Sequence, residues 1–415
     1  MPSLLVAWST WLVLALFYAY QFVIRIVPNV IMEDIMNKYQ VNADEVGHFA
    51  GIYYVSYVVI HIPLGIILDH FSAKKVVPLC VILVIIGFAP LVYVDNFVIT
   101  TYGRLLIGFG SAGAAVGAFK LLRLCFGEEK FPRMLGWMIT LGLLGAVFGS
   151  GPLARFISYL GWVEALNYIL WFGVALTVFS YFIIPNTKSE EEFNFKVVIN
   201  DFKYLFSNKI VLVVGALGGL MIGPLEGFAD AWSNQYLKIA YGLTNEEAGD
   251  VTQLVYVGMA IGLVVMGYIF EKTKSYYGLL IVSAVSMLVC FILLLMGIAE
   301  NVMILRCIFL VMGFFCAYQL IVIAKSVAIV IIEHGTFISA VANMIMMGFG
   351  YFTHRGIGKI LQYLWNGDRN DIGTPLYSAD NFYYALLVIP ISLMIATVGY
   401  MSLAYIEKRK KKIIA

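Results

Sequence analysis

Twelve stretches of this chain are long and apolar enough to cross a bilayer, roughly residues 7–33, 46–68, 76–94, 98–122, 134–157, 163–184, 210–238, 249–270, 278–298, 302–330, 337–362 and 382–406. A run of about 20 apolar residues spans the hydrocarbon layer as a helix. That layer offers no water to an open backbone, so only helices and closed barrels survive in it. The runs lack the two-residue alternation of barrel strands. An all-α membrane protein of twelve transmembrane helices is therefore expected. The chain is 61% hydrophobic and only 13% charged, against about a quarter charged in soluble domains. With a mean hydropathy of +0.89, this excludes both a soluble globular enzyme and a disordered chain. The first run is too long for a signal-peptide core and has no small-residue cleavage site, so it is expected to be retained.

The connections carry the orientation. Loop 69–75 holds His70, Lys74 and Lys75, and loop 127–133 holds Lys130 and Arg133. Connection 185–209 holds Lys188, Lys196, Lys203 and Lys209, loop 271–277 holds Lys272 and Lys274, and the tail holds Lys408 to Lys412. Alternating spans put all of these on one face. Loops 34–45, 95–97, 240–248 and 366–381, mostly acidic or neutral, fall on the other. By the positive-inside rule both termini face the cytoplasm, and a bacterial inner membrane is the expected location. The polar stretch 186–209 divides the chain into two six-span bundles, 1–185 and 210–415.

The halves echo each other weakly. Arg104 opens the fourth run and Arg306 the tenth, each followed by glycine. GIILDHFSAKK (65–75) and GYIFEKTKSYY (267–277) both place an acid four residues after a glycine, then lysines. Two six-helix halves with a midplane site between them are a recurrent transporter plan. At these residues the chain resembles the major facilitator superfamily. Gly65, Asp69, Lys74 and Lys75 are similar to its signature loop between helices two and three. Arg104 through Gly110 is similar to its fourth-helix signature, and Gly142, Gly145, Gly149, Gly151 and Pro152 to its fifth-helix pattern. FYAYQFVIRIVPNVI (17–31), GRLLIGFGSAGAAVGAFKL (103–121) and LGLLGAVFGSGPLARFISYLGW (141–162) look like a bacterial branch grouped with lysosomal dipeptide transporters. His70, Ser72 and Val163 depart from the usual pattern. The resemblance implies alternating access between two pseudo-symmetric bundles. It also implies a structural or proton-coupling role for Arg104 and a gating role for Asp69, Lys74 and Lys75.

Ionisable groups inside spans are expensive, so each has a job or a partner. At about 1.5 Å per residue, Arg25, Arg104, Glu226 and Asp230 all fall in the central-to-outer zone. Glu226 and Asp230, four apart, are expected on one helix face, where two acids opposite two arginines lower the desolvation cost of each. Arg25 is the leading substrate-binding candidate, because a guanidinium grips a carboxylate through two parallel hydrogen bonds. The competing reading is snorkelling. Arg104, Glu226, Lys120, Gln21 and Asn343 complete the candidate substrate set. Glu226 and Asp230 are also the proton-coupling candidates, since an apolar cavity favours a carboxyl that loads and releases a proton.

The net charge of +2 is too balanced for a nucleic-acid partner. The five cysteines sit in or beside apolar runs without a CxxC pair, so neither disulfide nor metal site is expected. No cofactor is implied, as there is no GxxxxGK[ST] loop, nor is there a potassium-channel filter. The expectation is a monomeric secondary transporter that imports a small carboxylate-bearing solute, such as an amino acid, dipeptide or organic acid, driven by a proton gradient or by the solute's own gradient. The alternative is a drug or siderophore exporter. Gly151 and Pro152 fit that pattern, but Arg155 and Phe156 stand where it has glycines. A receptor or membrane enzyme has no catalytic cluster or soluble domain to support it.

Overall fold

The computed structural model describes residues 3–187, 208–298, 301–329 and 335–414. Most of the 186–209 connection, with Lys188, Lys196 and Lys203, lies outside them, as does His334. The helices are α1 (Leu4–Val30), α2 (Met32–Tyr39), α3 (Ala43–His70), α4 (Ala73–Tyr93), α5 (Phe97–Gly127), α6 (Glu129–Phe148), α7 (Gly151–Leu160) and α8 (Trp162–Ile183). They continue as α9 (Lys209–Leu220), α10 (Gly223–Ala229), α11 (Ser233–Tyr241), α12 (Asn245–Thr273), α13 (Tyr276–Leu295), α14 (Val302–Cys316), α15 (Tyr318–Ala328), α16 (Gly335–Tyr363), α17 (Ala379–Leu386) and α18 (Val388–Ile414).

Among the described residues, ten helices are long and apolar enough to cross a membrane, and α9–α10, bent by 46°, make eleven. The 29-residue α16 is long enough for the twelfth, about 43 Å at 1.5 Å per residue. The spans are less continuous than the apolar runs imply. The fifth breaks at Gly149–Ser150 between α6 and α7, the seventh falls into α9, α10 and α11, and the tenth breaks between α14 and α15. Glycine and proline explain the first two: Gly149, Gly151 and Pro152 in one, Gly218, Gly219, Gly223 and Pro224 in the other. In α10 the ladder widens to an i→i+5 pattern, with Gly227 N–H bonding the Ile222 carbonyl at 3.4 Å and Asp230 N–H the Leu225 carbonyl at 3.1 Å.

The internal echo is clearer in space than in sequence. α3 and α12, the second span of each half, both open on a capping box, Asn42 with Glu45 and Thr244 with Glu247. Each packs against the fourth span of its half at a glycine. A Cβ on Gly108 would lie 2.3 Å from the Tyr53 carbonyl oxygen, and one on Gly313 would lie 2.0 Å from that of Val255. Only glycine permits such close backbone approach.

α3 packs along α16, and α7 along α12. Hydrogen bonds and ion pairs joining residues 3–187 to residues 208–414 cluster at the expected outer end. Arg155 Nη1 pairs with Asp250 at 2.7 Å, Lys238 with Glu33 at 2.5 Å and Arg355 with Asp44 at 3.3 Å. Between α16 and α17 a strap, 366–377, leans across onto the α2–α3 corner. Asn370 Nδ2 donates to Asn37 at 3.1 Å, Gln40 Nε2 to Thr374 at 3.4 Å and Ala43 N–H to the Tyr377 hydroxyl at 2.9 Å. The strap holds its own shape through Asn370 Oδ1, which accepts from the N–H groups of Thr374 and Ile372.

Candidate functional site

Arg25 and Asp230 meet in the middle of the molecule, one from α1 and the other just past the widened turn of α10. Arg25 Nε lies 2.8 Å from Asp230 Oδ2, and Nη2 donates to Oδ1 at 3.4 Å. Two hydroxyls complete the carboxylate's shell. Tyr54, on α3, donates to Oδ2, and Tyr256, on α12, donates to Oδ1 at 2.7 Å. The Arg25 guanidinium also lies 4.5 Å from the centre of the Phe22 ring. A second polar layer lies one turn further out. Asn29 Nδ2 donates to Asn234 Oδ1 at 3.0 Å, while Asn29 Oδ1 accepts from Asn234 N–H. Ser233 and Thr252 join that layer at 2.9 Å from each other.

Beneath the ion pair is a cavity of about 110 Å³, lined from both halves. Its polar lining includes Gln21, Arg25, Tyr54, Glu226, Gln319 and Asn343. Gln319 Nε2 donates to Glu226 Oε1 at 2.8 Å, while the buried Oε2 has no hydrogen-bond partner among the described residues. Tyr53 donates to Gln21 Oε1 at 2.9 Å. Asp230 takes a hydrogen bond from Nη2 of Arg25 and lies at ion-pair distance from Nε, so Nη1 is the guanidinium nitrogen without a contact to Asp230.

Four expected substrate residues thus share one cavity: Arg25, Glu226, Gln21 and Asn343. Arg104 and Lys120 do not line it. Arg104 donates from Nη1 to the Ile24 carbonyl at 2.8 Å and from Nη2 to the Arg25 carbonyl at 2.6 Å. Pro28 explains the first bond: it has no N–H, so the carbonyl four residues earlier loses its helical donor. Arg104 supplies the replacement, and its guanidinium lies 5.2 Å from the centre of the Tyr53 ring. Lys120 donates to the Leu68 carbonyl, tying α5 to the end of α3. The expected shared face of Glu226 and Asp230 is also modified. Across the widened turn Glu226 lines the cavity and Asp230 lies among its three donors.

The expected gate loop is stapled to the start of the 186–209 connection. Ala73 N–H donates to Thr187 Oγ1 at 2.9 Å, and Thr187 N–H to Ser72 Oγ at 3.1 Å. Lys74 Nζ lies 5.6 Å from the centre of the Tyr181 ring, and Lys75 is exposed. The Asp69 side chain lies outside the described residues. Lys325 pairs with Glu407 at 2.7 Å. Sequence reasoning missed Tyr256 and Gln319. Gln319 had a usable signal, an amide inside an apolar run, whereas Tyr256 is one of 26 tyrosines.

Among the described residues, ten to eleven candidate membrane spans surround a cavity lined from both halves, the arrangement of a multi-pass membrane transporter. The sequence profile of the Major Facilitator Superfamily matches residues 10–353, and the chain belongs to that family. AraJ, a putative transporter of Escherichia coli strain K12, is 23% identical over 327 residues, which cover 77% of this chain and 79% of AraJ. A bacterial homologue of the human lysosomal transporter Spinster, solved inward-facing and unoccupied, has a TM-score of 0.78 at 17% identity over 96% of this chain and 97% of its own. A variant of the nucleoside transporter NupG gives 0.77 at 14% identity over 95% and 99%. These similarities establish the fold.

Proposed function

We propose that this chain is a secondary transporter for a small solute bearing a carboxylate and, in its best ligands, an ammonium group, such as an amino acid or dipeptide. The observation that carries this reading is the pairing of opposite charges across one cavity, Arg25 from the first half and Glu226 from the second. Arg25 offers Nη1 to a carboxylate, and Glu226 offers an unpartnered oxygen to an ammonium or a proton. A volume of about 110 Å³ supports a small solute over the exporter reading, since drug-sized ligands fill about 300–1,000 Å³. Loop charges support a bacterial inner membrane with both termini cytoplasmic, so the tied end faces outward and the carrier is closed on that side. We assign 1–185 and 210–415 as the bundles that rock about the cavity, joined by 186–209. Glu226 is the proton-coupling residue of this scheme, because Asp230 is already held by three donors.

The test is a thermal-shift screen of the purified chain against amino acids, dipeptides and organic acids, each paired with its carboxamide, repeated on Arg25→Lys. A ligand at about 100 times its Kd adds about 2.7 kcal/mol to the folded state. Acids should raise the melting temperature of the parent and carboxamides should not. Arg25→Lys keeps the charge but loses the planar fork, so its shift should fall sharply. Equal shifts from acids and carboxamides, or none from any acid, would overturn the reading.

A further inference from the structure

We propose that Asp230 is the resident occupant of the solute's carboxylate site, so that closing the outer end and holding the solute's carboxylate compete for the same donors. This inference rests on the proposed carboxylate-bearing solute. The Asp230 carboxylate is bound as a free one would be. It receives a side-on, two-point contact from Arg25, at 2.8 Å and 3.4 Å, and a hydroxyl on each oxygen, from Tyr54 and Tyr256. A guanidinium offers a charged contact with a hydrogen bond beside it, as here, to any carboxylate. Three of these donor side chains, Arg25, Tyr54 and Tyr256, also line the cavity. The carboxylate they surround belongs to the protein.

The donors are divided between the halves. Arg25 and Tyr54 belong to α1 and α3, while Asp230 and Tyr256 belong to the other half. When the halves part at the outer end, Asp230 withdraws with Tyr256. Arg25 and Tyr54 stay together on the opposite wall as an empty two-residue receptor. A carboxylate arriving from outside fits that receptor. Closure then returns Asp230 to the same nitrogens and hydroxyl, displacing the solute's carboxylate toward the cavity and the inner side. An internal competitor lowers apparent affinity in proportion to the fraction of time it occupies the site. Release is thereby built into the closing step.

The decisive measurement is calorimetric titration of glutamate, succinate and dialanine into the purified full-length protein, comparing the parent with Asp230→Asn. The variant keeps the size and a hydrogen-bonding group but removes the competing charge. Binding of whichever probes bind the parent should tighten by about tenfold or more, while solute counterflow in proteoliposomes slows. A purely structural Asp230 would give weaker or unchanged binding, and either result overturns the inference. Tyr256→Phe is the second variant, because it leaves Arg25 its counter-ion and only loosens the hold on Asp230. It should tighten binding in the same direction by a smaller factor, and it decides the matter if Asp230→Asn does not fold. Probes that bind the parent without tightening in either variant refute the competitor alone. Probes that bind neither parent nor variants refute the carboxylate reading with it.

Discussion

Arg104 shows how a buried charge becomes structural. Its two donors go to carbonyls of α1, one of them stripped of its helical partner by Pro28. Removing a charged donor from a buried acceptor costs about 2–3 kcal/mol. Arg104→Ala should therefore lower the melting temperature markedly in detergent, with partial rescue by Arg104→Lys, while solute affinity of the folded fraction changes little. A large loss of affinity at unchanged stability would return Arg104 to the binding site. Arg25 and Glu226 were legible in the sequence for one reason: an ionisable side chain in an apolar run needs a purpose. The division of labour between the two arginines was not legible, because Arg104's partners are main-chain atoms about 80 positions away. Asp230 likewise looked equivalent to Glu226 until the widened turn separated their surroundings.

At the scale of elements, α7 and α12 meet where side chains are absent. A Cβ on Gly249 would lie 2.9 Å from Gly151 Cα and 3.0 Å from its nitrogen, both backbone atoms that cannot turn aside. Gly249→Leu should wedge these helices apart and hold the outer end open. Asn343→Cys, placed in the cavity of a chain stripped of its five native cysteines, should then react with an impermeant maleimide added from outside. Without the wedge it should be protected, and equal labelling in both backgrounds would refute the idea. The all-helical fold and the order of its spans followed from apolar length alone, which a bilayer enforces. The breaks in the seventh and fifth spans were signalled by glycine and proline clusters, whereas the break at Ala317 in the tenth has no proline or adjacent glycine to announce it. Cross-half contacts were invisible, since no local pattern records which helices become neighbours.

For the whole molecule, closure of the outer end is spread over several modest ties. Partly exposed ion pairs contribute about 0.5 kcal/mol each. Breaking any one of Arg155–Asp250, Lys238–Glu33 or Arg355–Asp44 should scarcely alter outside labelling of Asn343→Cys. Breaking all three, at about 1.5 kcal/mol together, should raise the open fraction by about tenfold. A single pair that opens the molecule alone would show that closure rests on one latch. The strap 366–377 adds a different kind of tie, because it reaches one half from the other outside the solute's route. A nanobody clasping that strap against the α2–α3 corner would arrest the cycle from the surrounding medium. In the proposed orientation, an inhibitor of this kind is expected to need neither likeness to the cargo nor entry into the membrane.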